Sequence, residues 1–278
     1  MSYSVLILTL NEELNIERCI ASLKNCNDIV ILDSFSSDNT LNLANKYDNV
    51  RVYKRDFDNY ANQRNYGLTD ISYTNDWLLM LDADEVVPDE LDEEIKNALN
   101  TVESNVCMFR MRRKDHFMGR WLKHSSGYPT WFGRLMRIGR VIIEREINEE
   151  YHTDGDVNYL NEHIYHYPFN KGVQEWFEKH NRYSSMEALE YYNKKTDLKT
   201  LQTKILNSDP VIRRAGLKQL IYSLPFRPLV MFLSLYFLRR GFLDGRAGFN
   251  FCVLRSFYEY MINCKKIELR RRAMGEPL

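Results

Sequence analysis

The chain has 278 residues, of which 44% are hydrophobic and 27% charged, and its formal net charge is zero. This length holds one large domain, or one domain with an appendage, and a sizeable core. The charge is unevenly distributed: residues 1–100 carry 19 Asp or Glu against 8 Lys or Arg, whereas residues 210–278 carry 13 Lys or Arg against 4 Asp or Glu. An acidic N-terminal part and a basic C-terminal part predict different binding partners for the two ends of the chain.

The cysteines exclude the common metal and redox motifs. There are five of them, and no two have Cys-x-x-Cys spacing. We therefore expect reduced thiols in a cytosolic protein. No signal peptide is expected either, because the sequence opens directly into a strand-like segment at Ser4–Leu8.

Short apolar runs alternate with helical patterns through the first hundred residues. The apolar runs predict buried strands at Val5–Leu8, Ile29–Leu32, Val50–Tyr53 and Trp77–Leu81. The helical patterns cover Glu12–Leu23, a segment after Ser36-Ser37-Asp38, Tyr60–Leu68, and a segment that starts at Pro88. This alternation predicts a doubly wound α/β sheet, whose ligands lie at the carboxyl ends of the strands.

The rest of the chain is mixed and then helical. Strand-like segments are predicted at Val106–Met111 and Val141–Ile143, and residues 171–206 have a helical pattern. From residue 209 the sequence becomes apolar and basic. We therefore predict a domain over residues 1–208, with a front half of about 1–100 and a rear half of about 101–208, followed by a helical region over residues 209–278.

Polar residues follow three of the predicted strands. Asp82-Ala83-Asp84 ends the fourth, and in an extended chain these two carboxylates point the same way. Two such carboxylates bind a hard divalent cation, which in turn holds a diphosphate. The alternative is an ordinary turn at the end of a strand. Because Thr9–Glu12 and Asp33-Ser34 reach the same edge of the sheet, we favour a binding site.

Several of these segments resemble the family 2 inverting glycosyltransferases of the GT-A fold. The resemblance rests on Thr9–Glu12, Val30–Thr40 and Asp82–Asp84, and four further segments are similar to enzymes of lipopolysaccharide-core and surface-glycan assembly: Asn59–Asn65, Arg134–Arg137, His166-Tyr167 and Gly241–Gly245. It implies a Rossmann-like, mixed but mostly parallel sheet with flanking helices, followed by an amphipathic helical region. It also implies metal-dependent transfer of a hexose from a nucleotide-diphospho-sugar, with UDP expected, to a lipid-linked or lipopolysaccharide-type glycan.

The resemblance also assigns roles to individual residues. Thr9, Asn11 and Glu12 would line the nucleotide pocket. Asp33 would accept a hydrogen bond from a pyrimidine base, and Arg64 would approach the diphosphate. Asp82 would contact the ribose or the metal shell. Asp84 would bind Mn²⁺ or Mg²⁺ together with His166, with His163 and His152 as alternatives to that histidine.

The acceptor side needs a carboxylate that takes a proton from the attacking hydroxyl. Similar enzymes often carry a His-Glu pair where this chain has Asn148-Glu149, so the resemblance implies Glu149 as the base, with Glu150 or Glu146 as alternatives. Further candidates fall into two groups. Trp121, Trp131 and Tyr128 stack on acceptor sugars or pack in the core. Arg110, Arg112, Arg113 and Lys114 form a solvated face or meet an acidic acceptor.

The basic tail contains an uncharged run of eleven residues, Pro228–Leu238, between Arg227 and Arg239-Arg240. A bilayer span needs about 20 apolar residues, so this run is too short to cross a membrane. We expect it to lie on an anionic membrane surface, with further charge from Lys265, Lys266 and Arg270–Arg272. This would place the protein at the cytoplasmic face of the membrane. A helical appendage or a dimer interface is the alternative.

Three other functions are weaker interpretations. A sugar nucleotidyltransferase usually has a glycine-rich basic loop after the first strand, whereas Thr9–Glu13 is acidic and contains no glycine. A non-catalytic scaffold subunit would be favoured by loss of Asp84 or of the base, and both are present. A nucleic-acid partner is not expected, because the apolar run interrupts the basic charge. The sequence leaves the oligomeric state open.

Overall fold

The structure, a computed structural model, describes residues 2–144, 150–193, 198–206, 216 and 226–278. The chain divides into two units. Unit 1 comprises Met1–His116 and Tyr128–Asn170, and unit 2 comprises Phe117–Gly127 and Lys171–Leu278. The boundary that we predicted between residues 208 and 209 lies outside the described residues.

Unit 1 contains a mixed sheet in the strand order β3-β2-β1-β4-β8-β6-β11-β5, and a separate β9-β10 pair. The strands are β1 (Ser4–Thr9), β2 (Ile29–Asp33), β3 (Val50–Lys54), β4 (Trp77–Asp82), β5 (Glu85–Val86), β6 (Val106–Phe117), β7 (Arg120–Trp121, in unit 2), β8 (Trp131–Arg137), β9 (Val141–Glu144), β10 (Glu150–Thr153) and β11 (Asp156–His166). Strands β1 to β4 pair in parallel. Strand β8 runs antiparallel to both β4 and β6.

Helices cover both faces of the parallel sheet, which explains why β1, β2 and β4 are almost entirely apolar, whereas the edge strand β3 is half-buried and carries Arg51 and Lys54. The helices of unit 1 are α1 (Ile16–Ala21), α2 (Thr40–Ala44), α3 (Tyr60–Thr69) and α4 (Asp89–Thr101). Val5 and Ile7 share one buried cluster with side chains of α1 and α4. Leu6 lies in a second cluster with side chains of α3. The alternation of these two sets along β1 is the two-residue period of a strand.

The predicted α/β fold class is confirmed, and all four front strands lie within one residue of their predicted ends. Helix α1 is shorter than predicted, because the residues after Glu12 form a turn in which the Asn15 amide donates to the Glu12 carbonyl (2.9 Å). Pro88 caps α4 from an extended conformation and is not its first helical residue. Strand β8 was not predicted, because its sequence contains two arginines and a glycine among the apolar residues.

Apart from the short strand β7, unit 2 has helices as its regular structure in the part that the structure describes. Its helices are α5 (Gly172–Asn193), α6 (Leu198–Ile205), α7 (Arg227–Leu233), a π-helix (Ser234–Leu238), a 3₁₀-helix (Gly241–Asp244) and α8 (Gly245–Ala273). Helices α5 and α8 are joined by the Lys265 ammonium, which donates to the Asn181 side chain (2.6 Å) and to the Ser184 hydroxyl (2.8 Å). None of the described helices combines the length and the apolarity needed to cross a membrane.

Candidate active site

The carboxyl edge of the parallel strands brings together the three polar segments that the sequence singled out. Thr9 and Asp33, the last residues of β1 and β2, are direct partners in the sheet register. Asp82, the last residue of β4, pairs with Leu8 on the other side of β1. One edge of the sheet in unit 1 therefore carries all three.

Asp33 organises the loops that follow β1 and β2. Its buried carboxylate accepts hydrogen bonds from the Thr9 hydroxyl (2.8 Å) and from the backbone amide (2.8 Å) and hydroxyl of Ser36. The Asn11 side-chain oxygen accepts from the Ser37 amide (2.8 Å), and Asn11 itself has a left-handed φ of 54°. A carboxylate has about four acceptor positions, and these contacts use three of them.

Glu12 continues this loop network. Its amide donates to the Thr40 hydroxyl (2.7 Å), and its carboxylate accepts from the Asn15 side chain (2.8 Å). The carboxylate is partly exposed. The structure thus brings four predicted nucleotide-binding residues into one hydrogen-bonded region, and their contacts with a nucleotide stay predictions: Thr9, Asn11, Glu12 and Asp33.

Asp82 lies between two buried arginines. Its Oδ1 contacts Arg64 Nη2 at 2.7 Å, and its Oδ2 contacts Arg134 Nη2 at 2.9 Å. The same Arg134 nitrogen contacts Glu85 Oε1 at 2.7 Å, and Arg113 Nη1 lies 3.6 Å from that oxygen. Glu85 Oε2 also accepts from the Asp82 amide (3.0 Å). Three arginines therefore hold two carboxylates at the end of β4.

The two carboxylates of this cluster differ in acidity for physical reasons. Burial by itself raises the pKa of Asp82, but the guanidinium groups of Arg134 and Arg64 outweigh it and hold the pKa well below its usual range. Burial, together with the charge of Asp82, raises the pKa of Glu85, and Arg134 and Arg113 only partly offset this, so the pKa stays above its usual value. Asp82 is thus held as an anion, and Arg134 is the main cation that favours the ionised form of Glu85.

Asp84 faces a different partner from Asp82. Residues 83 and 84 form a turn, so the extended geometry that we assumed across Asp82–Asp84 is wrong. Asp84 Oδ2 lies 3.4 Å from His166 Nε2. On the other side of the imidazole, His166 Nδ1 is hydrogen-bonded to Asp115 Oδ1 at 2.7 Å. The turn thus separates the two aspartates into different environments.

His166 is held as a cation in this arrangement. Burial and the charge of Arg113 lower its pKa, but Asp84 and Asp115 outweigh them and raise the pKa to about 9. Burial raises the pKa of Asp115, but Arg113 and His166 lower it to about 2. A carboxylate on Nδ1 fixes the ring and directs Nε2 at Asp84, which is the usual support for a histidine that binds a metal.

The site offers two candidate protein ligands to a divalent metal. Over the described ranges, no three His, Cys, Asp or Glu side chains are grouped to hold a metal ion. Asp84 and His166 do form a pair whose donor atoms converge, and Asp115 orients the ring. Mg²⁺-type sites are commonly completed by substrate phosphates and water beyond one or two protein ligands. The pair therefore fits a metal that is bound together with a diphosphate, and its role as ligands stays a prediction, as does that of Asp82.

The predicted bases are not located by the structure. Glu149 and Glu146 lie outside the described residues, as does Asn148. Glu150 is the first residue of β10, where its backbone pairs with Glu144 of β9. The assignment of Glu149 stays a prediction.

The alternative histidines have other partners. His163 Nε2 is hydrogen-bonded to the Tyr128 hydroxyl at 2.8 Å. His152 Nε2 lies 3.5 Å from a Glu144 oxygen, and both side chains are more than half exposed. Of the three histidines considered, His166 is the one that the structure places beside Asp84.

The aromatic and basic candidates lie in both units of the chain. Arg113 belongs to the carboxylate cluster described above. Arg112 lies over the Trp131 ring, 5.0 Å from its centre, and Trp131 contacts Tyr159 edge-on. Trp121 belongs to unit 2.

Sequence reasoning assigned no role to Glu85 or Asp115, and it placed Arg134 in a motif without a function. A weak signal existed for Asp115, which is a single acid at the end of the basic run Arg112–Lys114. Glu85 directly follows the aspartates, yet nothing in the sequence indicates that it is fully buried. Pairing between β4 and β8 brings Arg134 to these acids, and that pairing was not predicted.

A mixed sheet of this topology with a carboxylate-bearing edge is the GT-A type of glycosyltransferase domain, and the family comparison agrees. The model of the family described as "Glycosyl transferase family 2" matches residues 4–179. The chain belongs to glycosyl transferase family 2 and is a glycosyltransferase.

Two curated relatives match nearly the whole chain. The lipopolysaccharide core biosynthesis glycosyltransferase LpsC of Rhizobium meliloti is 26% identical, over 99% of this chain and 94% of its own length. An uncharacterized glycosyltransferase of Rickettsia typhi is 25% identical, over 96% and 87%. Among solved structures, S. aureus TarS 1-349 in complex with UDP-GlcNAc is 16% identical, with a TM-score of 0.46, over 99% of this chain and 93% of that one.

Proposed function

We propose that this protein is a metal-dependent, inverting glycosyltransferase that moves a hexose from UDP-hexose to a lipid-linked or lipopolysaccharide-type glycan. One observation carries the proposal: Asp84 and His166 face each other at the carboxyl edge of the sheet, next to the arginines that hold Asp82. Carboxylate, imidazole and guanidinium are the groups that a metal-diphosphate complex requires.

Asp84 and His166 would hold the metal. An imidazole nitrogen suits Mn²⁺ better than Mg²⁺, which prefers oxygen ligands, so we favour Mn²⁺. When bound, the metal supplies Lewis-acid stabilisation of the charge that develops on the leaving diphosphate. Asp115 is a positioning residue, because it fixes the His166 ring through Nδ1.

The loops after β1 and β2 would bind the nucleoside. Asp33 would accept from the imide N–H of uracil, and Thr9 and Ser36 fix its carboxylate in place. Asn11 and Glu12 lie in the same loop network and would line the pocket. Arg64 would meet the diphosphate, since its permanently charged planar group suits phosphate oxygens.

The acceptor side rests on Glu149, which we propose as the base that takes the proton from the attacking hydroxyl. A single in-line displacement would invert the anomeric centre. The lipid-linked acceptor is supported by the name of the R. meliloti relative and by the basic charge of residues 210–278. Such an acceptor would place the enzyme at the cytoplasmic face of a membrane.

Isothermal titration with UDP, GDP and CDP, each with and without Mn²⁺, tests the donor site. We expect UDP to bind at least tenfold more tightly with Mn²⁺, and we expect Asp84→Asn to abolish that difference. Asp89→Asn is the matched control, because Asp89 forms an exposed ion pair with Lys24 and should leave binding unchanged. Equal UDP affinity with and without Mn²⁺, or a fully metal-dependent Asp84→Asn variant, would contradict the proposal. Absence of all nucleotide binding would favour a scaffold subunit.

A further inference from the structure

Unit 2 exposes a group of large apolar side chains around the turn between α7 and α8. Leu238 is 82% exposed, Phe237 is 55% exposed and Phe242 is 45% exposed. We define the apolar tip as these three residues together with the similarly exposed neighbours Met118, Leu243 and Phe249. Clusters of this size and kind on a protein surface indicate an interaction site.

The members of the apolar tip are held together by contacts within unit 2. The Tyr236 ring contacts those of Phe237 (5.1 Å), Phe242 (6.2 Å) and Phe249 (5.7 Å) between centres. Met118 comes from a separate segment, and its sulfur lies 3.4 Å from the Asn250 side-chain nitrogen. The tip is therefore one surface, although it is assembled from two distant parts of the sequence.

The segment that carries Met118 is anchored by a buried carboxylate. Asp244 Oδ2 accepts from the amides of His124 (3.0 Å) and Ser125 (2.8 Å) and from the Ser125 hydroxyl (2.8 Å). Arg120 Nη2 also donates to the Leu243 carbonyl at 3.3 Å. Because Asp244 is buried and used in this way, it does not contribute exposed negative charge.

The surroundings of the apolar tip are strongly basic. Residues 117–127 contain no acid, and Asp244 is the single acid of residues 226–250. The exposed cations at this end are Arg120, Lys123, Arg239, Arg240 and Arg246. No carboxylate pairs with Arg239, Arg240 or Arg246 within the part of the chain that the structure describes.

We propose that the apolar tip docks the enzyme on an anionic lipid bilayer, with its large side chains in the headgroup–acyl boundary and its arginines on lipid phosphates. The proposal rests on the proposed function in one respect, namely that the acceptor is lipid-linked. Charge complementarity favours this occupant, since an apolar surface whose neighbouring segments carry exposed cations matches an anionic interface. A second copy of the chain would bring the same cations together.

The apolar tip differs from the membrane-binding surface that the sequence predicted. Arg227, which we expected on lipid, is buried and paired with Glu259. Lys265 is used in joining α5 to α8. Arg272 pairs with Glu268 at the far end of α8, a helix of 29 residues and about 43 Å. The docking surface is thus the start of α8 and not its basic end.

Vesicle flotation of the full chain tests the proposal with two matched pairs of variants. Leu238→Ser/Phe242→Ser removes apolar area at the tip, and Ile267→Ser/Met274→Ser removes exposed apolar area at the far end of α8. We expect the tip variant to lose at least tenfold in partition onto vesicles that contain phosphatidylglycerol, and we expect the control to match the wild type.

The second pair of variants tests whether positive charge at the apolar tip contributes to membrane binding. Arg239→Gln/Arg246→Gln should weaken partition by about 30-fold, at about fivefold per cation, whereas Arg270→Gln/Arg272→Gln should weaken it much less. Phosphatidylcholine vesicles should bind the wild type weakly. Equal effects of tip and control variants, or no binding of the wild type to anionic vesicles, would overturn the proposal.

Two further measurements separate the possible outcomes. Light scattering after size-exclusion chromatography would reveal a dimer, and a dimer that the tip variant dissociates, without vesicle binding, would assign the surface to a second copy. Titration with UDP and Mn²⁺ should be the same for all four variants. A wild-type protein that binds UDP and Mn²⁺ but does not bind anionic vesicles refutes the docking surface alone, whereas absent nucleotide binding in the wild type refutes the proposed function alone.

Discussion

Replacing Arg134 by methionine is the sharpest test of how the site is held together. The Arg134 side chain is 5% exposed and contacts both Asp82 and Glu85, while Glu85 is fully buried. Without Arg134, the nearest cation to Glu85 is Arg113 at 3.6 Å. Removing one partner of a buried ion pair costs about 3–5 kcal/mol, because it leaves the other charge uncompensated. We expect the free energy of unfolding, measured in urea at neutral pH, to fall by about that amount.

The loss should depend on pH in a defined direction. The pKa of Glu85 is already raised by burial, and losing Arg134 raises it further. Between the unfolded and the folded pKa of this carboxyl group, the folded state binds more protons than the unfolded state, so stability increases as the pH falls. The Arg134→Met variant should therefore be destabilised less at about pH 5 than at about pH 8.

Two controls make this prediction refutable. Arg140→Met removes an exposed ion pair with Asp154 and should leave the free energy of unfolding almost unchanged. Combining Arg134→Met with Glu85→Gln removes the buried charge and should recover part of the loss, which a double-mutant cycle measures as coupling. A pH-independent loss below about 1 kcal/mol in Arg134→Met would refute the view that this pair is buried and coupled.

Two further predictions concern stability. His166 contributes stability below its unfolded pKa, and this contribution is lost as the pH rises through the folded pKa of about 9. In metal-free buffer, His166→Gln should abolish the decline in unfolding free energy over that pH interval. An unchanged decline would contradict the role of Asp84 and Asp115 in raising the pKa of His166. Gly155→Ala would place a Cβ 2.3 Å from the Asn105 carbonyl oxygen and should lower the unfolding free energy by about 1–3 kcal/mol. An unchanged unfolding free energy in thermal and urea unfolding would contradict this packing.

The parallel half of the fold was predictable because its signals are local. Strands β1, β2 and β4 are short apolar runs, and burial on both faces demands that composition. The strand ends then located Thr9, Asp33 and Asp82 at one edge without any knowledge of contacts. Helix lengths were less predictable, because the turn that shortens α1 depends on backbone bonds between Glu12 and Asn15.

The site was only partly predictable because its ion pairs are not local. Arg134 reaches Asp82 across 52 positions of sequence, through an antiparallel pairing of β8 with β4. The sequence of β8 does not alternate clearly, since its arginine is buried and not solvated. Strand periodicity also failed between Asp82 and Asp84, because the chain turns after Asp82. A local rule cannot indicate which of two neighbouring acids meets an arginine and which meets a histidine.

The choice of arginine explains how four acids fit at one edge of a sheet. Asp82, Asp84, Glu85 and Asp115 would repel one another in a partly buried site, and some would take up protons. Lysine would not solve this, because burial lowers its pKa and it can lose its charge, whereas arginine stays protonated and spans two carboxylates with one planar group. Ion pairs with arginines hold Asp82, Glu85 and Asp115 in place at the site. Asp84 instead contacts the His166 imidazole, and we propose that it exchanges this contact for a metal ion.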